Sequence, residues 1–284
     1  MPLPRLALLT ALAMLAFAAN SLLCRIALRD GHIDAASFTA IRLLGGALAL
    51  WLIVRLRPAA PRAPLGGSHL SALALFVYAA GFSWAYVQLS AATGALLLFG
   101  AVQASMILWG LWRGERLSAG QGCGLLLAFA GLAVLLLPGA SAPAALPAML
   151  MLLAGVAWGA YSLRGRGAGD ATAHTAGNFI RALPLALLLG LVGLPWAQLD
   201  AAGLGYALLS GALASGVGYA LWYAVLPALG ATQAATIQLS VPLLTAVLGV
   251  LLLGEAFDRR LLLAAVLLLG GVAWVLLGRS PARR

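Results

Sequence analysis

Two arginines stand inside apolar stretches of this chain, Arg42 in Phe38-Thr39-Ala40-Ile41-Arg42-Leu43 and Arg181 in Asn178-Phe179-Ile180-Arg181-Ala182-Leu183. A guanidinium is always charged, and its planar fork of N–H groups matches a carboxylate or a phosphate. Two of them facing one aqueous cavity would bind an anionic group. The plainer role is structural, an arginine that caps helix carbonyls or reaches out to a headgroup. Arg181 lies about ten residues into its apolar run, near mid-membrane at 1.5 Å rise per residue. His174, Asn178 and Arg181 recur at i, i+4 and i+7, a single polar stripe on a helix. The expectation is that Arg181, helped by Asn178 and Arg42, holds the anionic head of a substrate.

Uncharged polar groups and aromatics supply the rest of such a cavity. Asn20, Gln103 and Gln238 each fall within an apolar run. One such amide can simply bridge two helices; several converging on one cavity is the sharper reading and the one adopted here. Trp84 shares a helix face with Gln88, and Phe82 shares one with Tyr86. Trp158 and Tyr161 share another, and Tyr219, Trp222 and Tyr223 cluster. Trp84, Trp158, Tyr161, Tyr219 and Tyr223 are taken as cavity wall, meeting the apolar part of a substrate. Trp51, Trp109, Trp112, Trp196 and Trp274 are assigned to interfacial belts or lipid contact.

Absences in the sequence narrow the chemistry. No Asp or Glu lies in the interior of an apolar run, so proton coupling would have to use His174, the substrate itself, or nothing. There is no G-x-S-x-G, no H-E-x-x-H and no acidic pair inside the membrane, which argues against an enzyme. Cys24 and Cys123 have no metal-ligand spacing; no metal, cofactor or disulfide is expected. The net charge of +10 comes from single arginines in short loops and tails, with no lysine. That is the pattern of membrane orientation and not of a nucleic-acid surface.

The elements that position these residues are apolar helices. The chain of 284 residues is 63% hydrophobic and 8% charged, with mean hydropathy +1.04. Soluble domains carry about a quarter charged residues. Ten apolar runs are expected to cross the bilayer: 3–23, 35–54, 70–88, 92–112, 120–137, 146–163, 171–192, 202–226, 231–253 and 261–277. The first, with Arg5 ahead and small residues late, has the look of a signal peptide. Phe17-Ala18-Ala19-Asn20-Ser21-Leu22 is however echoed by Trp158-Gly159-Ala160-Tyr161-Ser162-Leu163, so the run is kept as helix 1. Helices 3 and 4 meet almost without a loop and are expected to form a tight antiparallel pair.

That echo belongs to a longer one. Ala91 to Glu115 overlays Ala231 to Glu255 without a gap, and the only two glutamates of the chain coincide, each after a glycine. Gly131-Leu132-Ala133 then falls on Gly271-Val272-Ala273. The chain thus reads as two five-helix halves, 1–140 and 141–284, joined near Pro138, Pro143 and Pro147. An odd number of crossings per half makes the halves inverted, the arrangement of many secondary transporters. With the N-terminus in the cytoplasm, eleven loop and tail arginines lie inside and four outside, which places both termini in the cytoplasm. Glu115 and Glu255 are expected to fix helix ends.

These features resemble the drug/metabolite transporter superfamily, in its ten-helix EamA-type members: Leu-x-x-Gly-Glu closing helices 4 and 9, a Gly-hydrophobic-Ala segment in the following helix, and two inverted halves. The resemblance spans essentially the whole chain. It implies alternating-access export or exchange of small metabolites such as amino acids through a central cavity, in the inner membrane. Pro242 in helix 9 is matched by Val102 in helix 4, so the two halves differ at the cavity wall. A membrane scaffold without transport is the alternative, and the inverted repeat argues against it; a channel would need a ring of identical groups, and none is present. Cysteines introduced at Ser280 and Asp200 should label from opposite sides of the membrane. Labelling of both from one side would contradict the topology.

Overall fold

The computed structural model describes residues 1–57, 65–114, 116, 118–137, 142–165, 169–229 and 231–277. It is helical throughout, and the one β contact among the described residues is a bridge between Ile33 and Leu199. The helices are α1 (Leu3–Arg29), α2 (Ala35–Arg55), α3 (His69–Tyr86), α4 (Ala91–Trp112), α5 (Ala119–Leu136), α6 (Ala145–Arg164) and α7 (Ala171–Gly193). They continue with α8 (Ala201–Ala228), α9 in two pieces (Ala231–Gln238 and Ser240–Leu253) and α10 (Arg259–Leu277). Eight of these are long and apolar enough to cross a membrane; α3 and the divided α9 are the two that are not counted among them.

Side chains such as Leu187, Leu188, Leu191, Leu251 and Leu252 point outward and are exposed, as helices surrounded by lipid require. The inner contacts use small residues. A Cβ on Gly155 would meet the Leu98 carbonyl and Ala101, and Gly159 lies against Ser105, so α6 packs closely on α4. Gly124 and Gly271 bring α5 and α10 together in the same way. Gly211 lies against the backbone of Arg42, which sets α8 hard on α2.

The helices pack chiefly on the opposite half. α1 packs on α8 and α9, while α6 packs on α3 and α4; α2 lies against α7, α4 against α9, and α5 against α10. Exchanging each helix for its counterpart five places along turns this set of contacts into itself. The halves are therefore interlocked about an approximate two-fold axis. This corrects the expected α3–α4 pair. The two helices are joined by a short turn but barely touch, because α3 buries its aromatic face on α6 and α7 and α4 buries its face on α6 and α9.

Helix ends are tied by side chains. Asp34, Ser68, Ser90, Ser118, Asp170 and Asp200 accept hydrogen bonds from the first-turn amides of the helices they precede. Asp34 also takes the Gln198 amide at 3.1 Å, linking the α1–α2 and α7–α8 turns. Partial burial would raise its pKa, but hydrogen bonds from Ser37, Gln198 and Ala36 outweigh that and hold the carboxyl below its ordinary value. Arg57 and Asp170 pair at 3.1 Å on the opposite face of the molecule.

Glu255 binds three helices. Gly254 ends α9 in the left-handed conformation, φ 63°. The Glu255 carboxylate then accepts from Arg25 Nε of α1 at 3.2 Å and from the Ala91 amide opening α4 at 2.7 Å. A carboxylate at a helix N-terminus is well placed electrostatically. Glu115 lies outside the described residues. Glu255→Gln should lower stability by about 1–3 kcal/mol, read as a lower unfolding temperature in detergent, while ligand binding is retained. A stable variant that no longer binds would contradict this role.

Candidate functional site

A chamber opens between α1, α3, α4, α6, α8 and α9, lined by Phe17, Asn20, Ser21, Tyr78, Phe82, Leu98, Phe99, Trp158, Ala214, Ser215, Tyr219 and Gln238. Its walls are aromatic. Trp158 stacks on Tyr219 at 5.3 Å and on Tyr161 at 5.1 Å, and its ring lies 4.9 Å from that of Tyr78. Phe17 meets Tyr219 at 5.7 Å. These contacts obey the repeat. Phe17 and Trp158 are 141 positions apart, as are Tyr78 and Tyr219, so the Phe17–Tyr219 and Trp158–Tyr78 contacts are equivalent. The chamber therefore straddles the approximate two-fold axis. Its volume is about 30 Å³, room for water and not for a metabolite.

Arg42 stands behind this wall. It is 1% exposed. Nη2 donates to the Tyr78 hydroxyl at 3.0 Å, and the guanidinium lies 5.1 Å from the Tyr78 ring centre and 4.9 Å from that of Phe82. The aromatic faces offset part of the charge. Among the described residues no carboxylate pairs with it, and Nη1 has no hydrogen-bond partner. Asn20 donates to the same Tyr78 hydroxyl at 3.4 Å and accepts from Ser210 at 2.7 Å. A polar line thus runs from α8 through α1 and α3 to Arg42.

Two helix irregularities shape the chamber. From Leu209 to Val217, α8 widens into a π-helix, and this segment carries Ser210 and Ser215. Such turns change the register of side chains along a helix and occur at functional sites. Ser215 is 1% exposed, lines the chamber and has an unpartnered hydroxyl. The second irregularity corrects the expectation of an unbroken ninth span. α9 is interrupted at Leu239, immediately after Gln238. Pro242 supplies no N–H to the Gln238 carbonyl four residues back, which favours a break there.

The sequence-derived residues divide into groups. Asn20, Trp158, Tyr219 and Gln238 line the chamber, Arg42 lies behind it, and Tyr161 is buried one turn from Trp158. Tyr223 is partly buried in the same core. Gln103 is buried but is not part of the chamber wall. Trp84 is 38% exposed, on the opposite side of α3 from the chamber-lining Phe82. Arg181 and Asn178 are placed elsewhere. Arg181 Nη1 donates to the carbonyls of Gly66 at 2.6 Å and Gly177 at 3.0 Å. Asn178 accepts from the Ser68 amide at 2.9 Å and donates to the Tyr161 hydroxyl at 3.3 Å. The side chain of Arg181 leans toward the N-terminus of α7, as helical side chains do, and finds the turn before α3 instead of the chamber.

Tyr78, Phe17, Ser210 and Ser215 are not among the cavity residues expected from the sequence, where Ser215 reads as a small packing residue of its helix. For Tyr78 a signal exists: Tyr78, Phe82 and Tyr86 recur every fourth residue, one aromatic stripe on α3.

An interlocked bundle of apolar helices around a polar and aromatic chamber is the architecture of a multi-pass membrane protein. Residues 5–137 and 145–277 each match the EamA-like transporter family, and the chain belongs to that family. It is 60% identical to an uncharacterized protein of Pseudomonas aeruginosa, over 99% of this chain and 98% of that one. It is 28% identical to an uncharacterized transporter of Archaeoglobus fulgidus, over 93% of this chain and 95% of that one. A protein solved by crystallography shares the fold, with TM-score 0.65 at 19% identity over 94% of this chain and 97% of that one.

Tyr78→Phe keeps the ring and removes the oxygen that Arg42 and Asn20 both use. It should destabilise the protein by about 1–3 kcal/mol, measured by thermal unfolding in detergent. A variant as stable as the parent would show that the Tyr78 hydroxyl does not hold Arg42.

Proposed function

We propose that the chain is a secondary carrier of the inner membrane that exports or exchanges small carboxylate-bearing metabolites, amino acids among them, by alternating access. In this reading the ten helices are ten spans in two inverted halves, with both termini in the cytoplasm, and the face that bears Arg57 and Arg164 is cytoplasmic. The observation that carries the reading is Arg42. A cation so buried needs a compensating anion or water, and the described residues supply no carboxylate to it. Its free N–H groups and the adjoining aromatic chamber suit a molecule with one anionic end and an apolar body. Ser215, Asn20 and Gln238 offer neutral polar contacts to the remainder. At about 30 Å³ the chamber must widen to admit such a molecule.

The functional experiment is counterflow into proteoliposomes with a panel of labelled amino acids and simple carboxylates. Arg42→Gln should reduce flux of the transported carboxylate about tenfold or more, with Arg42→Lys retaining part of it because the charge stays and the fork is lost. Undiminished carboxylate flux in folded Arg42→Gln would refute the assignment.

A further inference from the structure

Residues 65–68, which lead into α3, lie in a groove on α7. The Arg181 bond to the Gly66 carbonyl and the Ser68 amide bond to Asn178 hold them there. The fit is close. A side chain on Gly66 would run into the His174 ring, and one on Gly177 into the Gly66 carbonyl. Gly67 takes φ 95°, a conformation that favours glycine. Arg164, at the end of α6, adds donors to Ser68 Oγ at 3.3 Å and Ser71 Oγ at 3.2 Å. The polar stripe His174, Asn178 and Arg181 is thus the seat of this segment.

The seat is connected to the chamber. Asn178 Nδ2 donates to the Tyr161 hydroxyl, which itself donates to Thr175 Oγ1 at 3.3 Å. The Tyr161 ring stacks on Trp158 with 21° between the planes. Trp158 lines the chamber, and Tyr161 is the next turn of α6 toward Arg164.

We propose that residues 65–68 form a strap that closes the chamber toward the arginine-rich face, and that Asn178 ties release of the strap to the position of Trp158. The Asn178 side chain accepts from the strap with its oxygen and donates to Tyr161 with its nitrogen. A rotation that serves one bond breaks the other. Tyr161 cannot follow a tilting Trp158 without drawing its hydroxyl from Asn178. A chamber widening around its contents therefore loosens the strap, and a seated strap holds the Trp158–Tyr219 stack. None of this depends on which molecule the chamber takes.

The experiment needs no substrate. Ser215→Cys places a thiol on the chamber wall, in a background with Cys24→Ser and Cys123→Ser. A membrane-impermeant maleimide is applied to vesicles that expose one face or the other. Arg181→Gln, which frees the Gly66 carbonyl, should raise labelling from the arginine-rich face about tenfold and leave the other face unchanged. Gly67→Ala should act alike, because its Cβ is forced onto Asn178. Tyr161→Phe, which leaves the strap contacts themselves intact, should shift labelling in the same direction. Unchanged labelling in folded variants, or an equal rise from both faces, would overturn the strap. A response to Arg181→Gln and Gly67→Ala but not to Tyr161→Phe would overturn the coupling through Asn178.

Discussion

A positive charge buried at the centre of the bundle, with no carboxylate among the described residues to answer it, constrains everything around it. Arg42 is packed between Tyr78 and Phe82, and its charge is met by a hydroxyl and two ring faces. In hydrocarbon such a group is tolerated only where protein or water surrounds it. The fold meets that demand on three sides. Gly211 lets α8 come against the Arg42 backbone, α3 supplies the aromatic stripe, and Asn20 from α1 fixes the Tyr78 hydroxyl. On the fourth side Nη1 is buried without a hydrogen-bond partner. The chamber and the arginine buried behind its wall are products of the same packing problem.

The repeat explains both the symmetry of the chamber and its polarity. Phe17 with Tyr219 and Trp158 with Tyr78 are the same contact made twice, which is why aromatic walls face each other across the axis. The arginines break the pattern. Arg42 turns to Tyr78, while Arg181, its counterpart within a residue, turns to the Gly66 carbonyl. One half thus lends its arginine to the chamber and the other to the turn before α3. A symmetric framework that carries such a difference has two unequal ends.

Much of the framework was legible in the sequence. The apolar runs gave the helices, and the coincidence of two glutamates gave the repeat. Glu255 does close a helix, and its partners Arg25 and Ala91 come from distant segments. The sequence ranked Arg181 ahead of Arg42 as a substrate ligand, by its depth in an apolar run. The structure separates the two by partners contributed from other helices, a tyrosine for Arg42 and a backbone carbonyl for Arg181. The same limit applies to Trp84, whose spacing resembles that of its cavity-facing neighbours but which falls on the outer side of α3. The π-turn of α8 left only glycines and serines as its trace, and these read equally well as packing residues. The break in α9 had a visible cause in Pro242, but proline kinks as often as it divides a helix, and only the packed structure distinguishes the two.

The central proposal is that Arg42 gives the chamber a preference for an anionic group. Matched ligand pairs test it most directly: each pair a carboxylate and its primary amide, otherwise identical, with thermal stabilisation of purified parent protein and Arg42→Gln compared. The account predicts that the parent is stabilised by the carboxylate of a recognised pair and much less by the amide, and that Arg42→Gln no longer distinguishes them. Equal stabilisation of the parent by both members of every recognised pair would contradict it.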